Sequence, residues 1–204
     1  MLQAFFHGFF LALGLILPLG AQNVFVFNQG IFHRRWLDAL PAVVMAALCD
    51  TLLILLAVLG VSLVIFKLAW LKTLMSVAGV LFLVYVGIST WKSAPGSLEN
   101  TESNQWPLKR QLLFAASVSL LNPHAIVDTI GVIGTSSLAY NIPRLKFAFA
   151  WAAVTVSWIW FFTLMTTGHL IGSFENMNSF RRRINQLSAV IIWISCVILI
   201  KTLL

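Results

Sequence analysis

Six apolar runs, each long enough to cross a lipid bilayer, occupy most of this 204-residue chain. They lie roughly at residues 2–27, 38–66, 68–91, 111–135, 145–172 and 184–203. A membrane-spanning helix needs about 20 apolar residues. Only 9% of the residues are charged, whereas a soluble domain has about a quarter. The chain is therefore predicted to be an all-α integral membrane protein with about six transmembrane helices and no separate soluble domain.

A polar connection at residues 93–108 divides the apolar runs into two groups of three, and its Pro95-Gly96 pair is typical of a loop. Because three is odd, the groups would cross the membrane in opposite directions, as do the inverted repeats of secondary transporters. Lys and Arg counts in alternate loops, eight against five, favour both termini outside. We expect one transmembrane transport domain over 1–204, made of repeat one (about 1–92), a cytoplasmic linker (about 93–108) and repeat two (about 109–204).

A short polar interruption falls inside the first apolar run of each predicted repeat. It reads PLGAQN at residues 18–23 and LNPH at residues 121–124. Proline removes a backbone donor and biases the preceding residue away from helix, and glycine permits close backbone approach. Non-helical backbone at membrane depth must be buried in protein or line a cavity. We therefore expect two broken helices bordering a solute site, with Pro18, Gly20 and Pro123 at the breaks; the alternative is two proline kinks without a ligand.

Two carboxylates, Asp50 and Asp128, lie inside the predicted spans. An Asp at the centre of a span costs roughly 2.5–3.5 kcal/mol on insertion scales, so it should face the protein interior and is a functional candidate. Asp128 follows His124 by four residues, which would place both on one helix face. Such a pair could hold a cation or pass a proton, or it could simply cap a half-helix.

Amide side chains near the two breaks complete the candidate site. Where a helix is broken, free N–H groups attract a carboxylate and free carbonyl groups attract a cation. An amino acid zwitterion has both groups, and a basic amino acid adds a second cation for Asp50 or Asp128. The amides expected to contact it are Gln22, Asn23 and Asn122.

No sequence motif points to catalysis, a cofactor or a metal. The sequence contains no P-loop, no Ser-x-x-Lys and no His-Glu-x-x-His, and its two cysteines lack metal-ligand spacing. The net charge of +7 resides at span ends and in short loops, at Arg34, Arg35, Lys109, Arg110 and residues 181–183. This placement indicates membrane orientation and attraction to anionic lipid rather than nucleic-acid binding.

The residues at both breaks resemble the signatures of a known family, the lysine/arginine exporters of LysE type. ILPLGAQNVFVFNQG at residues 16–30 is similar to the first signature, and LNPH at residues 121–124 with Asp128-Thr129 is similar to the second. The stretch around Cys49-Asp50 resembles the acid-bearing second span. The QN and NQG elements resemble the arginine exporter branch in particular. One position departs from the family pattern, because Ala21 stands where the family usually has proline.

The resemblance implies a multi-pass exporter of L-arginine or L-lysine in the bacterial cytoplasmic (inner) membrane, driven by the proton-motive force. The implied partners are a basic amino acid, protons as the coupling ion and membrane lipid, without nucleic acid; homo-oligomerisation stays open. Two other functions also stay open: export of another amino acid or small metabolite, and a non-transporting membrane scaffold whose breaks are packing kinks.

Overall fold

A computed structural model describes residues 1–18, 20–33, 35–60, 69–92, 108–173 and 178–203, and every regular element among them is helical. The predicted all-α class is therefore confirmed for this part of the chain. In chain order the elements are α1 (Leu2–Ile16), α2 (Ala21–Phe32), α3 (Trp36–Val58), α4 (Ala69–Lys92), α5 (Leu108–Leu120), α6 (Pro123–Ile126), the π-helix π1 (Val127–Ile133), α7 (Gly134–Ser137), α8 (Pro143–Gly172) and α9 (Asn178–Leu203).

Two of the described helices, α3 with 23 residues and α8 with 30, are long and apolar enough to cross a bilayer. The pair formed by α1 and α2 adds a third if it is one bent span. Shorter apolar stretches lie at Val77–Lys92 in α4 and Arg183–Val197 in α9. By length and composition, the described helices thus provide two or three of the six predicted spans.

The first apolar run contains the break that Pro18 and Gly20 predict. α1 ends at Ile16, α2 begins at Ala21, and the two helix axes differ by 79°. Gly20, the N-cap of α2, is extended (φ −87°, ψ 176°), and its N–H donates to the Pro18 carbonyl oxygen over 2.9 Å. α2 has 12 residues, about 18 Å at 1.5 Å per residue, so it is too short to cross a hydrocarbon core about 30 Å thick.

The second break lies at residues 121–122, between the end of α5 at Leu120 and the start of α6 at Pro123. From Pro123 a helical run continues through α6, π1 and α7 to Ser137; we call it the second half-helix. Its π-helical part begins at Val127, between His124 and Asp128. The side chains of Pro123, His124 and Asp128 lie outside the described part of the structure, so the pairing of His124 with Asp128 stays a prediction.

The second predicted span, 38–66, extends too far, because α3 ends at Val58. Gly60 follows with φ +90°, a left-handed conformation that glycine adopts without a steric penalty and that commonly ends helices. The residues that follow Gly60 in the sequence are also apolar, so composition alone did not indicate where α3 ends. Residues 61–68, and residues 93–107 of the predicted linker, lie outside the described residues.

The helices of the two predicted repeats pack reciprocally. The first broken helix, α1 with α2, packs on α8. The second, α5 with the second half-helix, packs on α3. α3 also contacts α8, and α4 pairs with α9. Each broken helix therefore packs against a long helix of the other predicted repeat.

Glycines bring the backbones of α2 and α8 into contact. A Cβ added at Gly30 of α2 would collide with the Met165 carbonyl oxygen, and one added at Gly168 of α8 would collide with the Phe27 carbonyl oxygen. Small residues allow membrane helices to approach this closely. The position of α2, which carries part of the candidate site, is therefore fixed by α8.

Candidate functional site

A cavity of about 360 Å³ lies between the two breaks. This is within the range of about 300–1,000 Å³ found for small-molecule sites. Apolar residues such as Ile16, Ile54 and Ile133 form much of the wall. Six of the predicted site and break residues line it: Pro18, Gly20, Gln22, Asn23, Asp50 and Asn122.

Asp50 is the only charged residue among the described residues that line the cavity. Gln22 Nε2 donates a hydrogen bond to Asp50 Oδ1 over 2.9 Å. Ser157 of α8 lies within hydrogen-bonding range of the same carboxylate. Asp50 is half-buried, and its exposed part borders the cavity. A carboxylate in such a low-dielectric hollow favours a cationic ligand over a neutral or anionic one.

Asn23 stabilises the first break from within. Its Nδ2 donates to the carbonyl oxygens of Ile16 over 2.7 Å and Pro18 over 3.0 Å. The last carbonyl groups of a helix have no intrahelical donor, so the first of these bonds satisfies the final carbonyl group of α1 and the second satisfies one in the break. Asn23 lines the cavity, but its amide protons are donated inside the break. In this conformation Asn23 orders the break rather than offering donors to a solute.

The first turn of α2 borders the cavity. Its N-cap is Gly20, and no side chain caps this end of the helix. Ala21, Gln22 and Asn23 form that turn, and all three line the cavity. N–H groups of a first helical turn lack intrahelical acceptors, and the helix dipole there favours an anion. The turn is therefore suited to a carboxylate group.

The second break faces the first across the cavity. A Cβ added at Gly20 would lie 3.9 Å from Asn122 Nδ2. The second half-helix continues the wall with Ala125, Thr129 and Ile133. Residues of both breaks therefore line one cavity.

Ser157 lies beside the Asp50 carboxylate, but it is not among the site residues predicted from the sequence. The one available signal was positional: Asp50 follows the first residue of α3 by 14 residues, and Ser157 follows the first residue of α8 by 14. The next residues, Thr51 and Trp158, therefore also correspond, and Trp158 Nε1 donates to Thr51 Oγ1 over 3.1 Å. Corresponding residues of α3 and α8 thus meet beside the cavity.

A second polar cluster fixes the far end of α2. His33 Nδ1 lies 2.8 Å from the Gln29 carbonyl oxygen, and His33 Nε2 lies 3.1 Å from Gln111 Nε2. Because a carbonyl only accepts, Nδ1 carries the proton, and Nε2 of a neutral ring accepts from Gln111. No group of three His, Cys, Asp or Glu residues that could hold a metal occurs in the described ranges.

Comparison with known proteins identifies one family of similar sequences. The family model for the LysE type translocator matches residues 13–202. YisU of Bacillus subtilis (strain 168), described as a proposed amino-acid transporter, is 48% identical over 192 residues, covering 94% of this chain and 86% of YisU. The arginine exporter protein ArgO of Enterobacter sp. (strain 638) is 33% identical over 199 residues, covering 95% of this chain and 91% of ArgO. ArgO of Salmonella paratyphi A is also 33% identical, over 202 residues, with 95% and 92% covered. No solved structure matches the chain significantly.

Proposed function

The chain belongs to the LysE type translocator family, and on this premise we propose that it is a secondary active exporter of basic L-amino acids, arginine or lysine. Family membership makes it a multi-pass inner-membrane transporter rather than an enzyme. One observation carries the choice of a basic substrate: the Asp50 carboxylate, held by Gln22, lines a cavity between two helix breaks.

The cavity offers a complementary partner for each charged group of a basic amino acid. The α-carboxylate would bind the N–H groups of the first turn of α2. The guanidinium or ammonium group of the side chain would bind Asp50. The α-ammonium group would be received by the side-chain oxygens of Asn122 and Thr129, which line the opposite wall. His124 and Asp128 of the second half-helix are our candidates for a further cation or proton partner.

We also propose that the domain consists of two inverted three-helix repeats, at about 1–92 and about 109–204. The reciprocal packing of each broken helix on a long helix of the other group supports this arrangement. The matched positions of Asp50 in α3 and Ser157 in α8 support it as well. Inverted repeats place the solute site where the two halves meet.

Arginine is the first substrate to test, since two of the similar proteins are named arginine exporters. We propose the proton-motive force as the energy source, because the sequence contains no P-loop for ATP. Protons would then be the coupling ion. Whether the transporter acts as a homo-oligomer does not enter this mechanism, because the cavity is formed within one chain.

Purified protein in proteoliposomes loaded with labelled arginine tests the proposal. An imposed pH gradient or membrane potential should accelerate arginine efflux, and unlabelled lysine should compete. Protein-free vesicles and vesicles without a gradient are the controls. Flux of neutral amino acids without arginine or lysine flux would favour another solute, and no gradient-dependent flux of any amino acid would favour the scaffold.

A further inference from the structure

One face of α2 carries polar side chains from the cavity to the far end of the helix. Gln22 lines the cavity, Gln29 follows it by seven residues, and His33, the C-cap, follows it by eleven. At 3.6 residues per turn, these three positions lie within about 40° of one another around the helix. All three side chains are buried in protein. α2 therefore presents a buried polar row that leads away from the cavity.

This polar row faces α5. Phe25 borders the row, and its ring packs against that of Phe114 in α5 with centroids 4.9 Å apart. Farther from the cavity, His33 Nε2 accepts the hydrogen bond from Gln111 Nε2 over 3.1 Å. Gln111 precedes Asn122, which lines the cavity, by eleven residues, the same spacing as along the row of α2. The interface between α2 and α5 therefore extends from the cavity to the end of α2 and the start of α5.

Contacts with α8 show where this interface leads. Ser157 of α8 lines the cavity, and a Cβ added at Gly172 would lie 2.6 Å from the Ile31 carbonyl oxygen of α2. These two α8 residues are 15 positions apart, which is about 22 Å at about 1.5 Å per residue. Lys109, at the start of α5, is exposed at this end, as expected for a basic residue at a membrane surface. We call this end the His33 face.

Polar residues mark this direction out of the cavity rather than the opposite one. Gln29 Oε1 is buried and has no hydrogen-bond partner among the described residues. An unpaired buried acceptor is costly, and it suits a solute that brings N–H donors, as guanidinium and ammonium groups do. On the other side, the cavity-lining residues Ala12, Ile54 and Ile133 belong to an apolar cluster that extends to Phe149.

We propose that the solute passes between α2 and α5 on its way between the cavity and the His33 face. The hydrogen bond between His33 and Gln111 closes this route near the surface. The rings of Phe25 and Phe114 narrow it nearer the cavity. α2 is held to α8 by close backbone contacts at glycines but to α5 by these side-chain contacts, so α2 and α5 are the easier pair to separate. The inference rests on the proposed function, because such a route has a role only in a transporter.

Thiol labelling of a cavity residue tests the route without requiring transport. Ala125→Cys in a Cys49→Ala/Cys196→Ala background places a single thiol in the cavity wall. A charged, membrane-impermeant methanethiosulfonate reagent is added to sealed vesicles of either orientation. Lys109→Cys in the same background identifies the orientation that presents the His33 face to the reagent.

Gln111→Leu removes the hydrogen bond to His33 at similar side-chain size. It should accelerate labelling of Ala125→Cys from the His33 face about 2- to 12-fold, the change in open population that one lost hydrogen bond permits, and leave the rate from the opposite face unchanged. Ser188→Ala is the matched control, because it removes the buried hydrogen bond that Asn28 Nδ2 donates to Ser188 Oγ over 3.2 Å, which joins α2 to α9 rather than α5. It should leave both rates unchanged.

Phe114→Leu, which removes the ring that packs on Phe25, should accelerate the same labelling and replaces Gln111→Leu if that protein does not fold. Unchanged labelling in the folded variant would overturn the route, as would an equal increase from the opposite face or in Ser188→Ala. Labelling is measured without arginine, so these outcomes are independent of flux in proteoliposomes. Accelerated labelling without arginine flux would overturn the proposed function but support access through this interface.

Discussion

Replacing Asp50 by asparagine removes the charge of the cavity while keeping its shape. The asparagine oxygen can still accept the hydrogen bond that Asp50 Oδ1 accepts from Gln22 over 2.9 Å. On the proposed binding mode, the lost interaction is the charge-assisted contact with the cationic group of the substrate. Hydrogen bonds to charged groups contribute about 1.5–3 kcal/mol. Since about 1.4 kcal/mol corresponds to a factor of ten, arginine affinity should fall about 10- to 150-fold.

Citrulline separates this charge effect from a general defect, because it has the length of arginine but an uncharged urea group. In proteoliposome counterflow, wild type should prefer arginine to citrulline. Asp50→Asn should reduce that preference about 10- to 150-fold without reducing citrulline transport. Asp38→Asn is the matched control, since it removes an acid from the first turn of the same helix, outside the cavity lining. An Asp50→Asn protein that distinguishes arginine from citrulline as well as wild type does would refute the assignment.

Three other substitutions test how the breaks and the two long helices build the site. Asn23→Ala leaves the Ile16 carbonyl at the break without its donor. We therefore expect slower transport and a loss of about 1–3 kcal/mol in the free energy of unfolding, measured by denaturation of the detergent-solubilised protein. Ala21→Pro should raise stability by up to about 1 kcal/mol in the same assay, because Ala21 is the first residue of α2, where proline is favoured. Asp50→Ser alone should abolish the preference for arginine over citrulline in counterflow. The double variant Asp50→Ser/Ser157→Asp, which moves the carboxylate from α3 to the matching position of α8, should restore part of that preference. A folded double variant without any restored preference would contradict the equivalence of the two positions.

The breaks could be predicted from sequence because their causes are local. Pro18 and Pro123 each remove a backbone donor, and Gly20 accepts the extended conformation found at the N-cap of α2. Asp50 could be predicted as an inward-facing residue because exposure of a carboxylate to lipid is costly. These features depend on residue chemistry and on neighbours within a few positions.

The contacts that give the site its geometry could not be predicted in this way. Gln22 and Asp50 are 28 residues apart in sequence, and no periodicity links a residue in the first turn of α2 with one in the middle of α3. The role of Asn23 depends on how the chain turns between α1 and α2, since a straight helix would have satisfied the Ile16 carbonyl itself. Ser157 is one of several hydroxyl residues in the long apolar helix α8. Apart from its position, which matches that of Asp50, only its packing on α3 distinguishes it.

The way the first break is stabilised determines which groups remain for a solute. The Asn23 amide donates to the last carbonyl group of α1, that of Ile16, and to the Pro18 carbonyl group in the break, so these two oxygens are less available to a cation. The N–H groups at the start of α2 have no side-chain cap and remain suited to a carboxylate. On the proposed binding mode, the side-chain cation is received by Asp50, the one charged residue among the described residues that line this largely apolar cavity. A neutral amino acid would fill the N–H site, but its α-ammonium group could compensate either Asp50 or the oxygens of Asn122 and Thr129, not both, and an uncompensated polar group costs desolvation free energy. A basic amino acid has a second cation, so its side chain can bind Asp50 while its α-ammonium group binds the opposite wall. This second cation is the reason for proposing a basic substrate rather than a neutral one of similar size.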